Sequence, residues 1–580
     1  MIKKPQAMAA GFITLALALS ACSGGGQPTN GADASTGASS TPAGTESVNI
    51  NAHPYSDLKD GGELNLSASE FTEQKNQFQA DGSVDTWTFW DMYNPEVIKF
   101  TPEGEVNINK NYLDDVKIEQ KDGNTVVTYK INEKATYNDG TPIDVKAYQN
   151  TWKANNGSDK KYFPNSVDGY NMIKSVEAGA SDKEAIVTFN GIWLYPHMLF
   201  NTLLHPAVNT ADLFNKAYVG DDIKSAHPEW GAGPYKIDTF DGKAGIATFV
   251  KNEKWWGDPG KLDKITFTLR EGQAGMNAFK NGESDVAGVN DNNQLTDAAS
   301  VPNTDLRMGA TAAIGLLQMN DAQEAMKDIN LRKAIMTAID RKQLVEVKYQ
   351  GMNYTETPPG SLVLYPYQKG YVDNFSAAIP ESGPDAAKKI LTDAGYTLGD
   401  DGYFAKDGKK VHVKYTLVGD VASVKAFAQV IQQQLKVAGI EMEIVQRSSA
   451  DFTNIMKDSD FEMMTSRIAS SDPYGTAWTC QIWCSKADDS YSGLFKVGQG
   501  TPELDKLIHE KVEAATDLDT QIAEMNKIEA EEFKTYHIMP IYMGPTAYQV
   551  KSGLANMGAG IFACKSSSFC DFRENLGYTN

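Results

Sequence analysis

Cysteine and histidine are both scarce, at 5 and 7 of 580 residues. The histidines (His53, His197, His205, His227, His412, His509 and His537) are scattered, with no pair at ligand spacing. The chain therefore has no H-E-x-x-H metal motif, and it has no G-x-S-x-G nucleophile elbow. These absences remove two common marks of a secreted hydrolase. A carboxylate pair for glycoside hydrolysis stays open, because paired acids need not be close in sequence. Positive charge is also short. With 54 Lys and Arg against 75 Asp and Glu, the formal net charge is -21, which excludes nucleic acid as a partner because phosphates need clustered cations. After residue 20 no apolar run approaches the roughly 20 residues of a membrane-spanning helix. No internal repeat is found.

What is present begins at the amino terminus. Lys3 and Lys4 precede an apolar run from Ala7 to Leu19, and small residues lead to Cys22. That is the layout of a secretory signal over residues 1–21. Leu19-Ser20-Ala21-Cys22 also resembles the bacterial lipobox, which implies diacylglycerol on the Cys22 thiol and cleavage just before it; an ordinary signal peptide is the alternative. From Ser23 to about Val48 the chain is nearly all Ser, Gly, Thr, Ala, Asn, Gln and Pro. Such a segment buries too little surface to offset its ordering entropy, so residues 22–57 are expected to be a flexible tether.

The other four cysteines, Cys480, Cys484, Cys564 and Cys570, form two close pairs. In an exported chain an even set points to disulfides, with three pairings possible. The local pairing, Cys480 with Cys484 and Cys564 with Cys570, is the expectation. Zinc is the rival, but no CxxC spacing occurs and no histidine adjoins either pair in sequence.

The soluble part mixes two periodicities. Leu64 and Leu66 alternate in a strand, as do residues Thr125 to Ile131 after the turn at Asp122-Gly123-Asn124. Ile237 to Val250 reads as two strands, and Ile265 to Leu269 as another. Leu331, Ala334, Ile335, Ala338 and Ile339 follow a helical stripe, as do Val424, Phe427, Ala428, Ile431 and Leu435. Pro384-Asp385 opens a third helix, and Leu504, Leu507, Ile508 and Val512 mark a fourth. Alternating strands and helices indicate α/β lobes.

Several segments in a fixed order resemble one family. Tyr137-Asn138-Asp139-Gly140-Thr141-Pro142, followed by Asp144 to Trp152, is similar to the signature of the extracellular solute-binding proteins of ABC transporters, family 5, the dipeptide/oligopeptide class. Gly231-Ala232-Gly233-Pro234-Tyr235, Asn252 to Trp256 and Phe279 to Asp285 resemble later family segments. So do Met319-Asn320, Leu331 to Arg341 and Pro358-Pro359-Gly360. The resemblance implies a two-lobed, periplasmic-binding-protein-like α/β fold with a hinge and an extra inserted domain. On that pattern lobe I takes 58–88, 228–312 and 495–580, the insert takes 89–227, and lobe II takes 313–494. It implies capture of a peptide between the lobes and delivery to membrane permease subunits by a monomeric, lipid-anchored protein on the extracytoplasmic face. No enzyme activity, metal or cofactor is expected.

The family usually places an aspartate, partner of the peptide α-ammonium, ahead of a D/E-P in lobe II. Here the segment is Arg467-Ile468-Ala469-Ser470-Ser471-Asp472-Pro473, which puts Ala469 at that place. A buried ammonium without a partner is costly, so the departure argues against free dipeptides and favours longer peptides gripped by their backbone, or a ligand without an α-amine. Asp472 is a substitute anchor or a turn cap before Pro473. Trp478 and Trp483, flanking the first cysteine pair, are the candidate stacking wall for an aromatic side chain or a sugar ring, against plain packing. Paired tryptophans keep an oligosaccharide ligand open. Arg467 is a candidate carboxylate partner. Phe71, Asn76 and Trp90 follow the first strand, Asn290 sits on the lobe I rim, and Met319 and Asn320 lie on the first crossing; all are cleft candidates. Trp87 is a core or entrance residue, and Trp255-Trp256 is expected to pack a hairpin.

Overall fold

Alternation builds the first lobe. In Glu63–Ala68 the side chains of Leu64, Leu66 and Ala68 turn inward while Glu63 stays exposed. This strand runs parallel to Lys264–Leu269, which continues antiparallel into Ile246–Lys251 and Tyr235–Asp241. Helix Val84–Tyr93 closes one face with Phe89, Met92 and Tyr93. It starts at a capping box, in which Ser83 Oγ accepts from Thr86 N–H and Thr86 Oγ1 accepts from Ser83 N–H. A second sheet of this lobe places Pro545–Lys551 between Val286–Gly288 and Thr304–Ala310.

The computed structural model describes residues 48–101, 104–270, 272–419, 422–448, 451, 455, 458–469, 473–485, 497–562, 564 and 568–579. Two calls, Cys22 and Asp472, lie outside these residues.

The inserted domain is a four-stranded antiparallel sheet in the order 113–121, 124–131, 184–189, 173–178, covered by helix Val145–Asn155. Asp144 caps that helix by accepting from Lys146 N–H at 2.8 Å. Trp255 and Trp256 pack on Tyr112 of this domain, with ring centroids 5.2 and 5.3 Å away. The second lobe holds a five-stranded sheet in the order Glu441–Arg447, His412–Val418, Met463–Ala469, Ala313–Met319, Ile538–Tyr542. Its core takes Leu331 and Ile335 from helix Ile329–Ala338, Leu391 from helix Pro384–Asp393, and Phe427, Ile431 and Leu435 from helix Ala422–Val437.

Three boundaries differ from the sequence reading. The tether expected over 22–57 ends earlier, because Val48–Asn49 pairs with Ala559–Gly560 and Ile50 is buried against Cys564 and Cys570. The insert begins after Tyr93, since residues 89–93 belong to a helix whose apolar side lies in the lobe I core. Most of 495–542 belongs to lobe II. Ile508, Val512, Met525 and Phe533 share the core of Leu317 and Ile335, and Ile538–Tyr542 is an edge strand of the lobe II sheet. An apolar helical stripe tells that a face is buried but not which sheet buries it.

The chain passes between the lobes twice, and both passages are continuations of strands. Thr304–Ala310 leads through Thr311 and Ala312 into Ala313–Met319; Ile538–Tyr542 leads through Met543 and Gly544 into Pro545–Lys551. The two passages lie side by side, with Ala310 opposite Pro545 and Gly315 opposite Tyr542. Gly544 has φ +79°, and a Cβ there would collide with the Tyr349 hydroxyl, so this position requires glycine.

Candidate functional site

Strand Met463–Ala469 pairs along its whole length with Ala313–Met319. On its other edge the ladder reaches only Met463 and Met464, opposite Tyr415 and Thr416. Among the described residues no strand pairs with that edge from Thr465 to Ala469. Arg467 and Ala469 are exposed there, and Arg467 Nη2 donates to Thr311 Oγ1 at 3.3 Å, beside the first crossing. An unpaired strand edge next to a hinge is a template for an extended chain.

A cavity of about 570 Å³ lies between the inserted domain and residues 476–478, 509, 513 and 521 of lobe II. Its wall on the insert side comes from the loops at 165–172 and 192–202, and its lobe II side from Thr476, Ala477, Trp478, His509, Glu513 and Gln521. Amides (Gln77, Asn155, Asn171, Asn201) and aromatics (Phe78, Tyr170, Trp193, Tyr195, Trp478) dominate it. Tyr195 spans its lobe II side, hydrogen-bonded to Gln521 Oε1 and, at 3.2 Å, to Thr476 Oγ1. A second cavity, of about 340 Å³, opens on lobe I where Glu63–Ala68 and Val286–Gly288 end, and Asn290, Gln294, Asp85 and Tyr548 line it.

The structure separates the sequence candidates. Trp478 lines the larger cavity and Asn290 the smaller. Arg467 and Ala469 lie on the open strand edge. The others serve packing. Trp90 is 1% exposed, with its Nε1 donating to Thr202 Oγ1 at 3.0 Å. Asn76 is buried and donates to the carbonyl of Phe214. Phe71 packs on Phe89 and Phe240. Met319 is buried within the sheet, and Asn320 donates to the carbonyls of Ser459 and Phe461. Trp483 is also core, edge-on to Phe533 at 5.0 Å, so the two tryptophans do not form one wall. Trp87 is exposed, with its Nε1 donating to the carbonyl of Gln77. Trp483→Ala is therefore expected to cost about 3–5 kcal/mol of stability through the void it leaves. Trp478→Ala is expected to change stability by under about 1 kcal/mol while weakening ligand binding. Melting curves and calorimetry on both variants check this; equal destabilisation by the two would refute the division.

Both expected disulfides are present, Cys480–Cys484 and Cys564–Cys570, with Cα atoms 4.6 and 4.3 Å apart. The fold brings His509 within 4.8 Å of Cys480 and Cys484, a proximity hidden in the sequence. The sulfurs are bonded to each other, and His509 Nδ1 is 2.6 Å from Glu513 Oε2.

Sequence reasoning also missed Glu356. Its carboxylate is buried and accepts from Met543 N–H at 2.9 Å, Gly544 N–H at 3.1 Å and Tyr354 Oη–H at 2.6 Å, pinning the second crossing to lobe II. Burial raises its pKa, and the donors oppose that rise. No motif marks it, since beside the neighbouring Tyr354 hydroxyl its partners are backbone groups nearly 190 residues away.

Two α/β lobes on a double-strand hinge, with a free strand edge beside a cavity, define a two-lobed binding protein of the periplasmic type. The family model for bacterial extracellular solute-binding proteins, family 5, matches residues 110–490, and the chain belongs to that family. It is 28% identical over 554 residues to the oligopeptide-binding protein OppA of Mycobacterium tuberculosis, covering 94% of this chain and 90% of that protein. It is 23% identical to the oligopeptide-binding protein OppA of Bacillus subtilis, covering 93% and 94%. Among solved structures the fold is similar to a periplasmic EDTA-binding protein, EppA (TM-score 0.78, 23% identity, 92% of this chain and 98% of that one). It is also similar to the oligopeptide-binding protein AppA of Bacillus subtilis in complex with a nonapeptide (TM-score 0.69, 19% identity, 90% and 100%).

Proposed function

We propose that this protein captures oligopeptides between its lobes and hands them to the permease subunits of an ABC importer. It acts as a monomer without enzymatic turnover, held by lipid on Cys22 at the extracytoplasmic face of the membrane. One structural observation carries the reading: the edge from Thr465 to Ala469 beside the first crossing, on which no strand pairs among the described residues. Such an edge offers main-chain donors and acceptors to any extended peptide, whatever its side chains. The likeness to oligopeptide-binding relatives over nearly the whole chain supports it.

With alanine at 469, no carboxylate stands at the family's usual ammonium anchor. Blocking a peptide's amino terminus is therefore expected to change affinity by less than about threefold, whereas losing a buried ammonium–carboxylate contact typically costs about 2–5 kcal/mol. Calorimetry with one peptide in free and N-acetylated forms checks this. A hundredfold loss on acetylation would mean that another acid, Asp472 first, anchors the ammonium. Heat from an oligosaccharide with none from either peptide would change the ligand class, and product formation would make the protein an enzyme.

A further inference from the structure

The lobes are joined at the two crossings and also, away from them, through the inserted domain. Tyr195 of the insert is 4% exposed, and its hydroxyl is hydrogen-bonded to Gln521 Oε1 and Thr476 Oγ1 of lobe II, both on buried residues. Its ring centroid lies 5.4 Å from that of Tyr474. Phe100, at the end of the insert strand Ile98–Phe100, packs edge-on to the same Tyr474 at 5.6 Å and is buried within the lobe II core. The turn that follows also reaches lobe II. A Cβ on Gly104, at φ +91°, would lie 2.9 Å from Pro473 Cβ, so the close approach requires glycine. On the edge strand of the insert sheet, Gln120 Nε2 donates to the carbonyl of Thr516 at 3.2 Å. Both halves of this contact are firmly mounted. In lobe II, Thr479 Oγ1 donates to the carbonyl of Thr476 and Gln368 Nε2 to that of Pro473, each at 2.9 Å, and the Cys480–Cys484 bridge ties the segment. In the insert, Trp193 lies edge-on to Tyr195 at 5.2 Å, and its N–H and carbonyl both bond Thr125 Oγ1 of the sheet. Every partner here belongs to the chain itself, so the contact favours closed lobes whether the cleft is filled or empty. Opening would expose the rings of Phe100, Tyr195 and Tyr474 to water, which opposes it.

We propose that the insert is a clasp on lobe II, with Tyr195, Phe100 and Tyr474 as its contact rings, which holds the cleft closed before any solute enters. The family resemblance implies lobes that close on a ligand; the clasp adds closure that needs none. A solute shifts the equilibrium only by its own preference for the closed form. It enters through the small fraction of molecules whose clasp has released, so release gates capture and discharge alike. Tyr195 is a positioning residue in this scheme, acting through the separation of the lobes rather than through contact with solute. The proposal does not depend on which solute is carried.

The test is the distance between the insert and lobe II in the full chain, stripped of solute by dialysis in urea and checked by native mass spectrometry. Spin labels on Lys174→Cys of the insert and Lys436→Cys of lobe II, both exposed positions, report it by pulsed electron resonance in a Cys22→Ser background. The otherwise unaltered protein is expected to show one short distance in more than about 90% of molecules. Tyr195→Phe removes the two hydrogen bonds and keeps the ring; adding Tyr474→Ala removes the ring contacts. A longer distance is expected to appear in the first variant and to grow in the second, with the closed-to-open ratio falling at least about tenfold. Unchanged circular dichroism shows that the variants are folded. Trp90→Phe, a change in packing away from the clasp, should leave the distances as they are. A mostly long distance before any substitution would overturn the clasp, as would variants that match the parent. Opening by Trp90→Phe as large as that of the double variant would overturn it too, since the effect would then be general loosening. None of these outcomes bears on the ligand class, so the peptide reading stands or falls by its own experiment.

Discussion

Replacing Cys22 by serine is expected to move the protein from the membrane fraction to the soluble extracytoplasmic fraction almost completely. Each buried methylene of an acyl chain contributes about 0.8 kcal/mol, and a single chain gives only marginal, reversible binding, so stable attachment needs a second chain or another signal. Diacylglycerol on the Cys22 thiol, as proposed, would supply two chains. Among the described residues no helix is long and apolar enough to cross a membrane, and a formal net charge of -21 disfavours adsorption to anionic lipid. Fractionation with an antibody to the body of the protein reads the outcome. A Cys22→Ser protein that stays with the membrane would show that the apolar run Ala7 to Leu19 is retained as the anchor and that the lipobox resemblance misleads.

The second large effect concerns alkaline pH. Glu532, the last residue of helix Leu518–Glu532, is fully buried. Burial pushes its carboxyl up to about 8; the Gly500 N–H bond at 2.9 Å opposes the rise and Asp505 adds to it. The negative end of the helix dipole also disfavours a charge there. In the unfolded chain a glutamate titrates near 4.3. Between those values the folded state holds a proton that the unfolded state has lost, so stability falls as pH rises. The contribution is complete below about pH 4 and is lost through about pH 8, on the order of 3–5 kcal/mol across the window. Glu574, pushed up to about 7 chiefly by burial, adds a slope of the same sign. Glu532→Gln keeps the shape without the titration. It is expected to match the wild type near pH 5 and to be more stable at pH 9, with the difference isolating Glu532 from Glu574. Denaturant titrations at both pH values measure it. Parallel pH profiles for the two proteins would remove Glu532 as the cause.

The regular elements were legible where one face of an element is wet. Leu331, Ala334, Ile335 and Ala338 mark helix Ile329–Ala338 because lysine and asparagine occupy the outer positions. Val84–Tyr93 gave no such stripe: Thr86, Thr88, Phe89, Trp90, Met92 and Tyr93 are all buried, since the helix packs on both the lobe I core and the cluster of Phe214 and Tyr218. Trp90 could not be told from a cleft residue for that reason. Met319 and Asn320 lie at the far end of the strand that follows the first crossing, and that strand is in mid-sheet, with both residues fully buried. The cavity wall was harder still. Residues 165–172 and 192–202 lie largely in loops, with no period to read, and meet Trp478 and Glu513 only through the packing of the insert on lobe II. Trp478 was marked by its place beside the cysteine pair and Ala469 by a departure from a family pattern, so neither rested on a period in the sequence.

The placement of Pro545–Lys551 has a consequence for how the chain is made. It is the middle strand of a lobe I sheet whose flanks, Val286–Gly288 and Thr304–Ala310, precede it by more than 200 residues. Leu58, near the start of the body, bridges to Thr579, and Val48–Asn49 waits for Ala559–Gly560. During synthesis and export the lobe that begins the protein therefore stays open-edged until the last residues have emerged. The described strands of the lobe II sheet all end by Tyr542. A molecule interrupted after residue 544 would carry a finished second lobe and an unfinished first one, with exposed strand edges of the kind that invite aggregation or proteolysis.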